Sequence, residues 1–108
     1  MLEVSFFTLC SGEICGFRID GHADYDDYGK DIVCAGVSSV AYMVANTISG
    51  VMNIDAEIKV HDDGYMYVRV PGKSAGLCQV LFEGLKSHLI MMEESYPENI
   101  NVNYEEVK

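Results

Sequence analysis

The chain alternates between short segments with a two-residue apolar repeat and longer segments with a repeat of three to four residues. The first pattern is typical of half-buried strands, and the second is typical of helices with one apolar face. Residues 2–9 alternate loosely and are rich in Val, Phe and Thr, and Ser11-Gly12 separates them from a second such run, Ile14 to Asp20. Two strand-like runs joined through a glycine turn predict a β-hairpin.

A helical repeat follows the polar loop from Gly21 to Lys30. Apolar β-branched residues recur every three or four positions, at Val33, Val37, Val40, Val44 and Ile48. Asp31 is of a residue type preferred at helix N-caps, and we expect the helix to start there and to end near Gly50. The other faces carry alanines and a glycine small enough for close packing, so the helix is expected to be central and heavily buried.

A turn signal in the second half of the chain, Asp62-Asp63-Gly64, lies between Ala56 to His61 and Tyr65 to Val70. Both flanking runs are rich in residues that favour strands, and Pro71-Gly72 closes the second run. Aspartate followed by glycine between two such runs is a strong local indication of a hairpin. The sequence therefore predicts a second pair of antiparallel strands.

A leucine stripe with helical spacing begins after Ser74 and continues to Tyr96, where Pro97 stops it. Ile100 to Glu106 then has the composition of a last strand. The predicted element order is ββαββαβ, an α+β fold in which an antiparallel-rich sheet packs with two helices. With 108 residues, of which 49% are hydrophobic, the chain is expected to form a single domain over residues 1–108.

The charge balance argues against one class of partner. Seven Lys and Arg stand against 17 Asp and Glu, which gives a formal net charge of −10, and the basic residues are scattered. Nucleic-acid binding depends on clustered basic side chains, so no direct nucleic-acid partner is expected. An acidic chain instead attracts basic proteins and speeds its encounter with them.

The sequence predicts neither a membrane anchor nor a secretion signal. The longest apolar runs are broken by Ser, Asn and Gly well short of the ~18 residues of a membrane span. Met1-Leu2-Glu3 lacks a basic leader. We therefore expect a cytoplasmic protein with no membrane partner, and we expect its four cysteines to be reduced thiols.

The candidate chemistry lies where the second strand passes through the polar loop into the first helix, at His22, Asp31, Cys34 and Ser38. If the helix starts at Asp31, Cys34 is its third residue, where free N–H groups and the helix dipole favour a thiolate. The same N–H groups are suited to an oxyanion formed during acyl transfer. Ser38 follows on the same face of the helix, and Asp31 is placed to cap the helix, to orient the imidazole, or both.

Spacing alone leaves three other interpretations open. Free cysteines are often buried core residues, so Cys34 has a purely structural alternative. Cys10, Cys15, His22 and Cys34 together are candidate ligands for a metal, although their spacing fits a zinc site poorly. A non-catalytic acidic module that binds a basic protein is the third.

The segment GHADYDDYGKDIVCAGVS, from Gly21 to Ser38, resembles the signature of the bacterial ribosomal-processing cysteine proteases, the Prp family. The resemblance extends over nearly the whole chain. It implies a cytoplasmic, homodimeric endopeptidase that needs no metal or other cofactor. Such an enzyme removes the short N-terminal extension of large-subunit ribosomal protein L twenty-seven, cutting after an aromatic residue, with Cys34 as nucleophile and His22 as its base.

Two positions depart from the commonest form of that signature. Asp24 stands where family members often have a small residue, usually Gly, and Gly36 stands where Ala is usual. Neither is part of the proposed dyad, but Asp24 makes the loop more acidic. Tyr25 and Tyr28 of this loop are candidates for contact with apolar side chains of a bound peptide.

Overall fold

The computed structural model describes residues 1–27 and 30–107. Its strands and helices lie close to the predicted positions and follow the predicted order ββαββαβ. The strands are β1 (Leu2–Thr8), β2 (Ile14–Asp20), β3 (Glu57–His61), β4 (Tyr65–Arg69) and β5 (Ile100–Glu106), and the helices are α1 (Ile32–Asn46) and α2 (Ala75–Ser95). The predicted α+β class is confirmed.

The five strands form one sheet in the order β3-β4-β2-β1-β5. The pairings β1 with β2, β2 with β4, and β3 with β4 are antiparallel. Only β5 runs parallel to its described neighbour, with Leu2 of β1 opposite Ile100 of β5. The sheet is therefore antiparallel-rich, as predicted, and its first strand lies next to its last one. That the chain forms a single domain stays a prediction.

The core lies between the sheet and α2. Because side chains alternate across a strand, Phe6 and Phe17 occupy opposite positions of the β1–β2 pair on one face, and both are fully buried. Phe82 of α2 meets Phe17 edge to face, with ring centroids 6.3 Å apart. This is a favoured arrangement of aromatic rings, and it fixes α2 over the centre of the sheet.

The side chain of Gln79 ties α2 to the start of β2. Its Oε1 accepts a hydrogen bond of 2.9 Å from the N–H of Ile14, and its Nε2 donates one of 2.6 Å to the carbonyl of Ile14. Nε2 also donates to the carbonyl of Ala75, at 2.7 Å. One side-chain amide thus pairs with the backbone of Ile14 as a neighbouring strand would.

The first helix has the expected extent but is more exposed than expected. α1 continues without a break into a five-residue π-helical turn, Thr47–Val51. Its buried residues form one stripe, Val33, Val37, Ala41, Val44 and Ala45. The prediction of a heavily buried helix is wrong, because the faces beside this stripe open to solvent and into a cleft.

Within the described residues, one helical stretch, Ile32–Val51, is long and apolar enough to cross a membrane by length and composition. The expectation that polar residues keep every apolar run well short of a membrane span is therefore wrong by this measure, because the Ser, Asn and Gly residues within this helix leave its mean hydropathy at 1.5. Length and composition alone are weak evidence for a membrane span, and 33% of this stretch is buried inside the protein, with its valine stripe in the hydrophobic core.

Candidate active site

A cleft of about 700 Å³ runs between α1 and the β3–β4 hairpin. The four sequence-predicted site residues, His22, Asp31, Cys34 and Ser38, all line it. The buried side chains of Leu2, Ile19 and Met66 also line the cleft and form an apolar floor. The fold thus brings together residues from the loop after β2 and from the first turns of α1, as the sequence predicts.

The wall opposite α1 comes from the second hairpin, which the sequence did not connect with the site. Val60, His61, Asp62, Gly64 and Tyr65 line this side of the cleft. Their local sequence predicts only a turn. Because β4 lies next to β2 in the sheet, this turn lies beside the end of β2, where the candidate loop begins.

Asp31 is the N-cap of α1, as predicted. Its Oδ1 accepts hydrogen bonds of 3.0 Å from the N–H groups of Val33 and Cys34. Its Oδ2 accepts from the N–H groups of Tyr25, at 3.0 Å, and Asp26, at 3.4 Å. The carboxylate therefore caps the helix with one oxygen and fixes the preceding loop with the other.

Four backbone donors also decide the protonation state of Asp31. Burial of the carboxyl opposes ionisation, but the N–H groups of Cys34, Tyr25, Asp26 and Val33 outweigh it and hold the pKa of Asp31 below its usual value. Among the described residues, its oxygens accept from backbone N–H groups and from no imidazole. The structure thus shows Asp31 as a cap and a loop anchor.

Cys34 is the third residue of α1, as predicted, but its surroundings differ from the expectation. The N–H groups of Val33 and Cys34 already bond to Asp31, so these two donors are not directed at the sulfur or at an oxyanion. The donor to the sulfur comes instead from the loop, where the N–H of Ala23 lies 3.2 Å from Sγ of Cys34.

The Cys34 thiol is harder to ionise than a helix N-terminus alone would suggest. Burial raises its pKa, the N–H of Ala23 lowers it, and the negative charges of Asp31 and Asp24 raise it further, with a net rise above the usual value. The expectation of a thiolate favoured by free first-turn N–H groups is therefore wrong. A thiol whose pKa is raised in this way is protonated at neutral pH.

His22 lies on the loop directly after β2, and its ring lies close to the turn of the second hairpin. A Cβ built on Gly64, whose φ is +89°, would be 3.3 Å from Cε1 of His22 and 2.5 Å from the carbonyl oxygen of Gly21. Within residues 1–27 and 30–107, no hydrogen bond joins the imidazole to Cys34. The two side chains share the cleft without a hydrogen bond between them.

Ala23 connects this loop with a residue that sequence reasoning missed. Its side chain is fully buried, and its carbonyl accepts a hydrogen bond of 2.8 Å from Nδ2 of Asn99. Asn99 lies 76 positions away along the chain, so no local pattern could have identified it.

Of the two loop tyrosines, only Tyr25 lies within the described residues. The ring of Tyr25 packs edge to face on Tyr96, with centroids 5.3 Å apart. In the described part of the cleft, Tyr25 is not a lining residue. Tyr28 lies outside the described residues. Contact of either tyrosine with substrate stays a prediction, and so does a role for Ser38, which is exposed on the cleft wall.

Both departures from the family signature have a physical explanation. Asp24 has a left-handed φ of 56°, a conformation that glycine adopts freely and that Asp tolerates better than most residues. At Gly36, a Cβ would lie 3.2 Å from the methyl carbon of Met92. Met92 therefore occupies part of the space that an alanine side chain would need.

The structure gives no support to a metal site. Cys10, Cys15, Cys34 and Cys78 are all free thiols, with Cys10 exposed and Cys15 and Cys78 buried. Across residues 1–27 and 30–107, no group of three or more His, Cys, Asp or Glu side chains is placed to hold a metal ion.

Comparison with known proteins gives a consistent result. A sequence model of the family described as cysteine protease Prp matches residues 1–101. The ribosomal processing cysteine protease Prp of Staphylococcus aureus is 33% identical over 105 residues, which cover 96% of this chain and 99% of that protein.

Two solved structures of the S. aureus protease are similar to this one. The complex with a covalently linked product peptide has a TM-score of 0.88 at 33% identity, covering 97% of this chain and 100% of the other. The complex with a substrate peptide has a TM-score of 0.83 at 32% identity, with the same coverage. These likenesses favour an enzyme over a non-catalytic binding module. This chain therefore belongs to the cysteine protease Prp family and is a ribosomal processing cysteine protease.

Proposed function

We propose that this protease removes the short N-terminal extension of large-subunit ribosomal protein L twenty-seven, with Cys34 as nucleophile and His22 as general acid and base. The observation that carries the proposal is the cleft itself, where the two side chains lie beside an apolar floor. The similarity to protease structures with substrate and product peptides supports a peptide as the occupant of that cleft.

The protonation state of Cys34 explains why a base is needed. Because the free thiol is protonated at neutral pH, His22 must accept its proton before the sulfur attacks the scissile carbonyl. His22 then gives the proton to the leaving amine as the carbon–nitrogen bond breaks. A water that loses a proton to His22 hydrolyses the thioester and restores the thiol.

Peptide binding has a further task in this scheme. His22 and Cys34 are not hydrogen-bonded within the described residues, so their proton-transfer contact must form when the cleft fills. Exclusion of water by the peptide strengthens that contact, because charges interact more strongly in a dry site. We propose that the dyad is completed by the substrate.

The lining of the cleft is compatible with the proposed substrate. Leu2, Ile19 and Met66 offer an apolar floor for an aromatic or aliphatic side chain before the cleaved bond. Asp24 and Asp62 add negative charge at the edge, which attracts the basic chain of a ribosomal protein.

The test is cleavage of a peptide that spans the N-terminal extension and the processing junction, followed by mass spectrometry. We expect one cut after an aromatic residue by the unaltered protein and none by Cys34→Ser or His22→Ala. Cys10→Ser is the matched control, since Cys10 is an exposed thiol outside the cleft, and it should cleave normally. Turnover by Cys34→Ser would refute the assignment of the nucleophile, and binding without cleavage would favour a non-catalytic role.

We also propose that the protease is a cytoplasmic homodimer, since its proposed substrate is a ribosomal protein and α2 carries exposed apolar side chains. Leu77 and Val80 are 72% and 90% exposed. Leu89, also on α2, is fully buried in the core and is not available to such an interface. Light scattering should show a monomer for Val80→Glu if this face pairs, and a dimer for Val80→Ala.

A further inference from the structure

Asn99 has a fixed backbone at the junction of three elements. Its N–H donates a hydrogen bond of 3.0 Å to the carbonyl of Tyr96, just after α2. Its own carbonyl accepts one of 2.8 Å from the N–H of Leu2, the first residue of β1. Ile100, the next residue, starts β5. The end of α2 and the first strand thus fix the position of the Asn99 backbone, from which its side chain extends.

From this platform the side chain reaches the candidate active-site loop. Nδ2 of Asn99 donates a hydrogen bond of 2.8 Å to the carbonyl of the fully buried Ala23. The N–H of Ala23 donates a hydrogen bond of 3.2 Å to Sγ of Cys34. His22 is the residue just before Ala23 in the chain. Among the described residues, Ala23 therefore joins Asn99 to both members of the proposed dyad.

A second contact holds the same loop to the same segment. The ring of Tyr25 meets the ring of Tyr96 edge to face at 5.3 Å. The loop is therefore fixed to residues 96–99 at two positions, Ala23 and Tyr25. Asn99 itself is not among the residues that line the cleft in the described structure, so it has no contact with a substrate there.

We infer that Asn99 is a positioning residue for peptide hydrolysis, because its amide holds Ala23 where the alanine N–H meets the reacting sulfur and where His22 enters the cleft. The inference rests on the proposed roles of Cys34 and His22. Without the amide, the buried carbonyl of Ala23 loses its donor, and the loop must shift to find another. A shift of about 1 Å in a catalytic group lowers a rate by about 100-fold.

The experiment compares Asn99→Ala and Asn99→Asp with the unaltered enzyme. Asn99→Asp keeps the size of the side chain but replaces the N–H donor by a carboxylate that repels the Ala23 carbonyl at neutral pH. The matched control is Asn101→Ala, because Asn101 is a nearby asparagine of β5 whose Nδ2 bonds to Glu3 on an exposed surface, 2.9 Å away. Three quantities are measured: kcat and KM for the junction peptide, the pH dependence of Cys34 alkylation followed by peptide mass spectrometry, and Tm.

We expect both Asn99 variants to lose about 10- to 100-fold in kcat, with a much smaller change in KM. The alkylation profile of Cys34 should move to higher pH, since the N–H of Ala23 no longer supports the thiolate. Asn101→Ala should match the unaltered enzyme in both respects. A merely structural role for Asn99 would lower Tm without moving kcat or the alkylation profile at temperatures where the protein is folded.

An unchanged kcat and alkylation profile in the folded variants would overturn the inference. It would also fail if neither variant folds at the assay temperature, because Asn99 would then act on stability. A failure of the proposed function is distinguishable from these results, because the unaltered protein would then leave the junction peptide uncut or Cys34→Ser would retain turnover in the same assay.

Discussion

Gly64 lies so close to His22 and to the carbonyl of Gly21 that position 64 has no room for a side chain. A Cβ there would lie 3.3 Å from Cε1 of the imidazole and 2.5 Å from the carbonyl oxygen of Gly21. The turn of the second hairpin therefore limits where the His22 ring can lie. A residue outside the loop and the helix thus shapes the proposed dyad.

Gly64→Ala should lower activity by moving His22. The new methyl group must displace the imidazole or the backbone of Gly21, so we expect kcat for the junction peptide to fall by at least about tenfold. Gly12→Ala is a matched control, because Gly12 also has a φ of +89° in a hairpin turn but has no atom within 4 Å of its Cβ position. Both changes should cost roughly 1–2 kcal/mol of stability from the left-handed backbone.

The two variants share the left-handed backbone and differ in the clash of the new methyl group with Gly21 and His22. A comparison of kcat and Tm between them therefore isolates the effect of that clash. Equal kcat in Gly64→Ala and Gly12→Ala would show that the contact with His22 does not affect the reaction.

Asp24→Asn should make Cys34 more reactive. The charge of Asp24 helps to raise the pKa of the Cys34 thiol, and Asn tolerates the left-handed backbone at this position as well as Asp does. Alkylation of Cys34 at neutral pH should therefore speed up by about twofold, and the gain should shrink at 1 M salt. Asp55→Asn, which removes an exposed charge outside the cleft, should leave the rate unchanged.

Loss of the Met1 ammonium partner of Asp24, 3.1 Å away, is a separate effect of this substitution. The pair is exposed, so its loss should change the free energy of unfolding by at most about 1 kcal/mol. A rate of alkylation that falls in Asp24→Asn would contradict the electrostatic account.

Asp31→Ala should destabilise the protein by about 0.5–2 kcal/mol through loss of the helix cap. Asp31→Asn should have an intermediate effect, since a single amide oxygen can accept from the helix or from the loop but not from both. Urea unfolding at neutral pH measures the free energy of unfolding. Asp55→Asn again serves as the control for loss of a charge.

The effect of Asp31 should also depend on pH. Because the pKa of Asp31 is lower in the folded protein than its unfolded value of about 3.9, the carboxylate stabilises the fold above that value. This stabilisation is lost as the pH falls through the folded pKa. The difference in stability between the unaltered protein and Asp31→Asn should therefore be constant near neutrality and should shrink below about pH 4. A difference that grows on acidification would refute this.

Gln79→Ala should lower stability without lowering activity. It leaves the N–H and the carbonyl of the buried Ile14 without their side-chain partner, which costs about 1–3 kcal/mol. Gln79 does not line the cleft in the described structure, so kcat should stay unchanged in the folded enzyme. Ser87→Ala, at an exposed position of the same helix outside the cleft and outside the proposed dimer face, should change the free energy of unfolding by less than about 0.5 kcal/mol.

Local sequence patterns were sufficient for the elements and for part of the site. The N-cap at Asp31 and the position of Cys34 in the first turn follow from residue types that are neighbours in the chain. The gathering of His22 and Ser38 into one cleft follows from the loop–helix connection. These features depend on interactions within about twenty residues, which hydrophobic periodicity and capping preferences capture.

The remaining features depend on packing between distant segments. Gly64 reaches His22 only because β4 pairs with β2, and Asn99 reaches Ala23 only because β5 pairs with β1. The raised pKa of Cys34 depends on burial and on which N–H groups Asp31 has already taken. Periodicity carries no information about any of these.

The parallel pairing of β1 with β5 has a consequence for how the enzyme forms. Leu2 and Ile100 lie at opposite ends of the described chain, so their contact closes a very long loop, and such non-local pairings slow folding. Asn99 reaches Ala23 from that same junction between distant segments. We therefore expect partly folded chains that lack β5 to have a loosely held active-site loop. Maturation of proteolytic activity would then coincide with the last step of sheet assembly.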